Sequence, residues 1–294
     1  MTELDRIRLI DRRFFCKPLE IFHRKKYIFA TLFYKIIIMF LWDKIAFGPI
    51  QSRRLGSSLE INVSPTNVKI CSFDCIYCEC GWTLEKSIAP HLFYSVNKII
   101  TAIEAKLQQC KESNTTIDSI TFSGNGEPTL HPHFAQIIDN LIVLRTQYFP
   151  KTKITCLSNA TQLAKKEVSS SLKKIENPIL KLDAVTEPLF QLINKPTISV
   201  SAEEIIKQLQ QFNGNFILQT LFFKGEIDGQ YFNNVSEPHL FLWLNVVKQL
   251  HPKKVMIYSL DRNTPAQKLE RIATEELQQI AQQVQKFEIK AVAY

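Results

Sequence analysis

The sequence lacks the features that mark several common classes of protein. Its 294 residues contain no internal repeat and no low-complexity tract, and 45% of them are hydrophobic, so neither a solenoid nor a disordered chain is expected. The seven cysteines are an odd number, and no secretory signal peptide is recognised ahead of them, which argues against a disulfide framework. A chain of this length can bury a sizeable core, as one domain or as a domain with an extension.

The sequence also lacks a hydrophobic run long enough for a typical membrane-spanning helix. Residues 27–42 are nearly all apolar or aromatic, but Lys35 interrupts them, and a span needs about 20 residues. We therefore expect no stable membrane span. This run overlaps residues 1–38, in which Lys and Arg outnumber Asp and Glu by five. Two explanations of residues 1–38 stay open: an over-extended gene model with translation starting at Met39, which we favour, or a membrane-surface anchor.

Residues 45–294 are expected to form the core domain, and their apolar pattern alternates between strand and helix. Residues 39–294 carry only +3 of the net charge of +8, which is weak evidence for nucleic-acid binding. Six alternating strands imply a parallel sheet, which fits either a doubly wound fold or a barrel. The strands are predicted at 59–63, 117–122, 153–157, 179–182, 216–223 and 254–260, with a final one at 289–293, and the helices at 95–111, 134–144, 201–209, 240–250 and 275–287.

Three cysteines, Cys71, Cys75 and Cys78, have the spacing C-x3-C-x2-C, and Tyr77 directly precedes the last. Three thiolates can bind three irons of a [4Fe–4S] cluster and leave the fourth iron open. A cluster held only for electron transfer or structure usually takes four cysteines. The spacing therefore predicts metal ligands at these three cysteines and a cluster that binds its substrate.

Zinc is the alternative for this cysteine loop, because a C-x2-C pair often belongs to a zinc site. Such a site needs a second pair of cysteines or histidines. Cys110 and Cys156 stand alone, and the six histidines show no paired spacing. Cys80 extends the loop to C-x2-C-x-C, but its role is open, and we do not assign it as a ligand.

A second group of residues ends the second predicted strand, in the sequence Ser-Gly-Asn-Gly-Glu-Pro. Its glycines allow backbone to approach a ligand closely. Glu127 then offers a carboxylate that suits an ammonium group. Alone, such a segment is no more than an ordinary turn, but the cysteines upstream strengthen the prediction of a binding site. The candidate cofactor-binding residues here are Gly124, Asn125, Gly126, Glu127 and Pro128.

Together these segments resemble the radical S-adenosylmethionine (SAM) superfamily, and in particular the subgroup related to the wyosine-base synthases, which remodel a guanine in tRNA. The resemblance covers about residues 45–290. It implies a partial (β/α)6 barrel of the TIM type, with the cysteine loop after the first strand. The matching stretches are 47–50 with 52–56, 71–81, 122–130, 181–184 and 257–262 with Thr264 and Pro265.

The resemblance implies that the Gly-Asn-Gly-Glu-Pro segment binds the SAM amino group, although the commoner superfamily form is Gly-Gly-Glu-Pro. Asn159 would then bond the SAM ribose or carboxylate, with an asparagine turn as an equal alternative. Asp183 would accept hydrogen bonds from ribose hydroxyls, and Tyr77 would shield the reacting radical. Further candidates around the strand ends are Arg53, Arg54, Lys181, Gln219, Tyr258, Asp261 and Arg262.

The implied activity is reductive cleavage of SAM to a 5′-deoxyadenosyl radical that abstracts hydrogen from a substrate. The implied partners are a low-potential electron donor such as flavodoxin or ferredoxin, and tRNA or another RNA as a possible substrate, in a reducing cytoplasm. The tRNA-modifying members carry a second cluster on N-terminal cysteines, whereas only Cys16 lies upstream here, so no second cluster can be placed. Catalytic residues and the substrate stay unassigned.

Two other classes of function stay open. One is an activase that installs a radical on a partner protein. The other is a non-enzymatic iron–sulfur or zinc protein that binds nucleic acid, which would bind metal and RNA in a salt-sensitive way without cleaving SAM. The Gly-Asn-Gly-Glu-Pro segment argues against the second class.

Overall fold

The computed structural model describes residues 40–83 and 89–294. Residues 1–38, with Cys16, lie outside the described residues, so both explanations of that segment stay predictions. Phe40–Tyr294 forms one compact unit. In the described part of this unit, no helix is long and apolar enough to cross a membrane.

The strands of the described residues form a large sheet and a small one. The strands are β1 (Ala46–Ser52), β2 (Gly56–Asn62), β3 (Ser119–Ser123), β4 (Lys153–Ser158), β5 (Asn177–Lys181), β6 (Ile217–Leu221), β7 (Phe223–Ile227), β8 (Gln230–Asn233), β9 (Lys254–Tyr258), β10 (Leu269–Arg271) and β11 (Ala291–Ala293). In the large sheet the order is β1-β2-β3-β4-β5-β6-β9-β11, and in the small sheet it is β10-β7-β8.

Helices connect the strands of the large sheet, as the apolar spacing predicts. Ser201 and Glu204 form the predicted capping box, in which each side chain bonds the other's backbone N–H. The helices are α1 (Val96–Glu112), α2 (Phe134–Tyr148), α3 (Lys166–Lys173), α4 (Glu187–Asn194), α5 (Ala202–Gln210), α6 (Glu237–Leu250) and α7 (Thr274–Gln285).

The large sheet is parallel except for β1, which pairs antiparallel with β2. From β2 onward each strand joins the edge left by the one before it, so the strand order never reverses. This order is that of a sheet curling toward a barrel, because a doubly wound sheet reverses its order at a switch point. The predicted α/β fold with a parallel sheet is confirmed, and the carboxyl ends of its parallel strands lie along one edge.

The two faces of the large sheet differ in polarity because successive strand residues point to opposite faces. Leu59 and Phe122 belong to the apolar core that includes the buried faces of α1 and α2. On the other face, the Ser58 hydroxyl lies 2.7 Å from that of Thr121. The Ser119 hydroxyl lies 3.0 Å from Thr121 Oγ1 and 2.7 Å from Thr155 Oγ1. The inner face of the sheet therefore carries a buried chain of hydroxyl groups.

The structure corrects the predicted strand at 216–223, which it divides between the two sheets. β6 ends at Leu221, and β7 begins at Phe223 in the small sheet. At the break, the Phe222 N–H donates to the Tyr258 carbonyl at 2.8 Å, and the Phe222 carbonyl accepts from the Ser259 hydroxyl at 2.6 Å. The run of apolar residues hides this turn, because Leu221, Phe222 and Phe223 are all buried. β1 is an additional strand that the apolar pattern does not predict.

Candidate active site

The cysteine loop follows β2 and is tied to the loop that follows β3. Ile70, next to Cys71, forms an isolated parallel bridge with Gly126. The Ile70 N–H donates to the Asn125 carbonyl at 3.0 Å, and the Glu127 N–H donates to the Ile70 carbonyl at 3.0 Å. The two motifs singled out in the sequence thus meet at the carboxyl edge of the sheet, where parallel α/β folds build their active sites.

Gly124 and Gly126 allow this close approach between protein segments. A Cβ atom on Gly126 would lie 1.8 Å from the Ile70 carbonyl oxygen, and one on Gly124 would lie 2.6 Å from Asn62 Oδ1. Gly126 also has φ of +133°, which favours glycine. The expected reason for these glycines was room for a ligand, whereas the space at both positions is filled by a protein neighbour. A ligand contact through their backbone stays a prediction.

The Glu127 carboxylate holds the loop after β4. It accepts hydrogen bonds from the Asn159 N–H at 2.6 Å, the Ser158 hydroxyl at 2.9 Å and the Thr129 N–H at 3.0 Å. Burial raises the pKa of Glu127, and the N–H of Asn159 and the donors of Thr129 oppose that rise. These donors give Glu127 a structural role in the protein, and its binding of an ammonium group stays a prediction.

Asn125 and Pro128 also serve the protein itself. The Asn125 side chain is fully buried, donates to the carbonyls of Trp42 at 2.9 Å and Pro65 at 3.0 Å, and accepts from the Trp42 N–H at 2.8 Å. Pro128 is buried at the start of a short 3₁₀ turn, Pro128–Leu130. The Asn125 side chain therefore joins three protein segments, and the contacts of Asn125 and Pro128 with a cofactor stay predictions.

The structure shows one of the two alternatives drawn from the sequence for Asn159, the asparagine turn, and its contact with SAM stays a prediction. Its Oδ1 accepts from the Thr161 N–H at 3.1 Å, which makes the expected asparagine turn. Its Nδ2 donates to the Ser72 hydroxyl at 2.9 Å and to the Cys71 sulfur at 3.6 Å. Asn159 therefore faces the cysteine loop, next to a candidate ligand.

Asp183 lies at the centre of a buried network instead of facing an open volume. Its Oδ2 accepts a short hydrogen bond from the Tyr77 hydroxyl and one of 3.2 Å from Asn194 Nδ2. Its Oδ1 accepts from the Leu221 N–H at 2.9 Å and from Lys181 Nζ at 3.2 Å. These protein donors use its oxygens and hold Tyr77 in place, and the contact of Asp183 with a ribose stays a prediction.

Asn194, at the end of α4, extends this network to the cysteine loop. Its Nδ2 donates to the Tyr77 hydroxyl at 3.0 Å and to the Cys75 sulfur at 3.6 Å. Burial raises the pKa of Tyr77, and the Asp183 carboxylate raises it further, so Tyr77 stays a neutral phenol that donates to Asp183. Sequence reasoning missed Asn194 because no local pattern connects it to a loop 119 residues away.

The three candidate ligands differ in thiol pKa. A hydrogen bond from Cys80 is the main cause that lowers the pKa of Cys78 to about 5, against the effect of burial. Burial raises the pKa of Cys75 to about 11 and raises that of Cys71 further. Cys80 also donates to the Gly124 carbonyl at 3.5 Å. Cys78 is thus the thiol most ready to act as a thiolate, with Cys80 beside it as a hydrogen-bond donor.

Lys69 places a buried positive charge beside these thiols. Its Nζ donates to the Gly81 carbonyl at 2.8 Å and lies 3.8 Å from Asp74 Oδ1, and only 2% of the residue is exposed. Burial lowers its pKa, but the three cysteine thiolates and Asp74 raise it above its ordinary value. A buried ammonium needs compensating negative charge, and Asp74 alone lies too far away to bond it closely. No motif in the sequence points to Lys69.

A cavity of about 440 Å³ opens beside the cysteine loop, within the usual size range of ligand pockets. Glu60 lines it from β2, is 6% exposed and accepts a short hydrogen bond from the Ser123 hydroxyl. Arg54 also lines it, with its guanidinium carbon 4.8 Å from the centre of the Tyr258 ring. Tyr77 and Cys78 belong to the same lining. The cavity therefore connects the cysteine loop with the polar inner face of the sheet.

The remaining candidates lie at the cavity rim or beneath it. Arg53 pairs with Asp261 at 2.7 Å, and Arg262 pairs with Glu79 at 2.7 Å, and all four residues line the cavity. Lys181 is not part of the cavity lining, but its Nζ donates at 2.6 Å to the hydroxyl of Tyr258, which is. Gln219 is buried in β6 and is not part of the cavity lining.

Within residues 40–83 and 89–294, no three His, Cys, Asp or Glu side chains converge closely enough to hold one metal ion. In a four-iron cluster each thiolate binds a different iron, so its ligands need not converge in this way. The structure is thus an α/β protein with a parallel sheet and a three-cysteine loop at the carboxyl edge of that sheet, and a cluster at these cysteines stays a prediction.

The chain belongs to the radical SAM superfamily, whose family model matches residues 68–233. Members of the superfamily use a [4Fe–4S] cluster and SAM. The fold is similar to that of a radical SAM methyltransferase from Sphaerobacter thermophilus, with a TM-score of 0.59, 14% identity, and coverage of 81% of this chain and 65% of that one.

Two curated relatives are UPF0026 proteins. The chain is 31% identical over 225 residues to one from Methanocaldococcus jannaschii, and this aligned region covers 75% of this chain and 63% of that protein. It is 32% identical over 221 residues to one from Helicobacter pylori, which covers 74% of this chain and 67% of that protein. The match thus spans about two thirds of the length of these relatives. They show the family but not a substrate.

Proposed function

We propose that this chain is a radical SAM enzyme in which Cys71, Cys75 and Cys78 bind a [4Fe–4S] cluster. The observation that carries the proposal is the buried Lys69 ammonium beside these three thiols. A cation buried to this extent favours thiolate ligands and a net negative group in the loop. Asp74 at 3.8 Å offers only partial compensation, so the donor set fits an anionic cluster.

When bound, the cluster and SAM together would supply a 5′-deoxyadenosyl radical, which abstracts hydrogen from a substrate. The protein has to hold the reactants in place and exclude water. Gly124, Gly126 and Glu127 hold the cysteine loop against the ends of β3 and β4. Asp183 holds Tyr77 at the cavity wall, where Tyr77 and Cys78 both line the cavity.

For SAM we propose the region between the Gly124–Pro128 segment, Asn159 and Tyr77. Ser123, Tyr77 and Cys78 already line the cavity there. Within this region, Asn125, Glu127 and Asp183 position other groups through their side chains. The proposed direct contact is through backbone groups of the Gly124–Pro128 segment other than the Asn125 carbonyl and the Glu127 N–H, which bond Ile70.

A base in tRNA is the substrate class that we propose to test first. The support is the resemblance of five sequence stretches to the wyosine-base synthases, together with a cavity rimmed by Arg53, Arg54 and Arg262, since arginine suits phosphate groups. A low-potential donor such as flavodoxin or ferredoxin is the proposed source of the electron. A reducing cytoplasm is the proposed location because an iron–sulfur cluster and free thiols persist there.

The test is an anaerobic assay of the full chain reconstituted with iron and sulfide. With SAM and dithionite, 5′-deoxyadenosine is expected from the wild-type protein and is expected to be absent from Cys71→Ala. Cys110→Ala is the matched control, because Cys110 is a buried cysteine in α1 away from the loop. Iron loading and RNA binding without SAM cleavage would instead favour the nucleic-acid-binding alternative. A radical detected on a partner protein would favour the activase.

A further inference from the structure

Two asparagines point their side-chain amides at two different sulfurs of the cysteine loop. Asn159 Nδ2 lies 3.6 Å from Cys71 Sγ, and Asn194 Nδ2 lies 3.6 Å from Cys75 Sγ. Asn159 directly follows β4 and Asn194 is the last residue of α4, so the two side chains reach the cysteine loop from separate elements. Both residues are buried, with 8% and 2% of their surface exposed.

The orientation of both amides follows from their neighbours, which matters because amide nitrogen and oxygen are otherwise easily exchanged. Asn194 Nδ2 is surrounded by acceptors: the Cys75 sulfur, the Tyr77 hydroxyl oxygen and an Asp183 oxygen. Its Oδ1 has no hydrogen-bond partner among the described residues. A flipped amide would place that oxygen against the Asp183 carboxylate, so the nitrogen of the amide faces these acceptors, and its two hydrogens are shared among the three of them.

The Asn159 amide is fixed by complementary bonds. Its Oδ1 accepts from the N–H and hydroxyl of Thr161 at 3.1 and 2.9 Å. The two hydrogens of its Nδ2 match two acceptors, the Ser72 hydroxyl and the Cys71 sulfur. Glu127 holds the backbone of Asn159 at 2.6 Å. The N–H that faces Cys71 is therefore preorganised by the Gly-Asn-Gly-Glu-Pro loop.

An N–H group aimed at a ligand sulfur stabilises negative charge on that sulfur. Reduction adds negative charge to an iron–sulfur cluster, and hydrogen bonds to its sulfurs are one of the means by which proteins set its potential. The effect is larger in a buried site, where the effective dielectric constant is low. We propose that Asn159 and Asn194 are positioning residues that raise the reduction potential of the cluster, an inference that rests on the proposed function.

The test is an EPR-monitored redox titration of the reconstituted full chain. Asn194→Leu removes the donor to Cys75, and Asn159→Ser removes the donor to Cys71 while keeping an oxygen for the Thr161 turn. Each is expected to disfavour reduction by about fivefold to tenfold, where tenfold corresponds to ~59 mV for one electron. The shifts are expected to add in the double variant because the two donors act on different sulfurs.

Asn177→Leu is the matched control, because Asn177 donates to the Thr155 hydroxyl in the sheet and contacts no cysteine sulfur. Its potential is expected to equal that of the wild type. Potentials of Asn194→Leu and Asn159→Ser that equal this control would overturn the inference while leaving the proposed function in place.

A second measurement on the wild type does not depend on the variants loading iron. Pulsed EPR of the reduced protein labelled with ¹⁵N-asparagine is expected to show nitrogen coupled to the cluster, and absence of that coupling would overturn the inference. A wild-type chain that loads no cluster, or cleaves no SAM, would instead contradict the proposed function, and this inference would fail with it.

Discussion

The Glu127 carboxylate accepts a 2.6 Å hydrogen bond from the backbone N–H of Asn159, and this contact joins the end of β3 to the end of β4. Glu127 also receives donors from Ser158 and Thr129. Through Asn159 the contact reaches the Cys71 sulfur. One buried carboxylate thus fixes the relative position of two strand ends and a candidate ligand.

Glu127→Gln is expected to lower the free energy of unfolding by about 2–3 kcal/mol, because hydrogen bonds to a charged group contribute ~1.5–3 kcal/mol and a buried donor is left unpaired. The amide of Gln cannot accept at both of its ends. Urea unfolding of the two proteins would measure the difference. Glu276→Gln on the exposed side of α7 is the control, and an effect of Glu127→Gln no larger than this control would contradict the role given to Glu127.

Gly126→Ala is expected to separate the cysteine loop from the loop after β3. Its Cβ would lie 1.8 Å from the Ile70 carbonyl oxygen at φ of +133°. The backbone strain alone costs about 1–3 kcal/mol, and the clash adds to it. Gly229→Ala is the matched control, since Gly229 has φ of +77° but no atom within 4 Å of the added Cβ. Thermal unfolding should show the larger loss for Gly126→Ala, and equal losses would refute the close-approach argument.

The parts of the site that the sequence predicts are those in local motifs. The cysteine spacing, the Gly-Asn-Gly-Glu-Pro segment and Asn159 stand at strand ends, and parallel topology brings strand ends together. Lys181 and Asp183, two residues apart, do lie on one side and pair at 3.2 Å. A structural role for Glu127 and Asp183 was not predicted, because an acidic side chain at a strand end does not show which donors surround it.

The parts that the sequence does not predict depend on tertiary contacts, or on a polar face of the sheet that is buried instead of exposed to solvent. Asn194 reaches Cys75 across 119 residues. Glu60 and Ser58 alternate with apolar residues, which is typical of a strand with one face in solvent. In a sheet curled on itself that polar face is buried as well, so Ser58 is fully buried and Glu60 nearly so.

Lys69→Met is expected to reduce iron loading severalfold on reconstitution. Without its ammonium, the buried thiolates lose the cation that compensates their charge, and ligands must be deprotonated to bind metal. Iron and sulfide per chain would be measured after desalting, with circular dichroism as a check of folding. Lys286→Met, at an exposed position, controls for loss of a positive charge. Full iron loading in a folded Lys69→Met protein would argue against the charge-compensation role.

Glu60→Gln is expected to change the pH dependence of stability in the apo protein. Burial raises the pKa of Glu60, while hydrogen bonds from Ser123 and Ser58 and the charge of Arg54 only partly oppose the rise. The folded state therefore holds the proton more tightly than the unfolded state. The stabilisation from this group is fully present below the unfolded pKa, near 4.5, and is lost as the pH rises through the folded value.

At neutral pH the buried carboxylate of Glu60 should therefore destabilise the fold, and its neutral replacement should not. The free energy of unfolding of Glu60→Gln minus that of the wild type is expected to increase between pH 4.5 and pH 7, by about 1.4 kcal/mol for each unit by which the pKa is raised. Other titrating groups are common to both proteins and cancel in this difference. Urea titrations at both pH values give the comparison. A difference that is independent of pH would show that burial does not raise the pKa of Glu60.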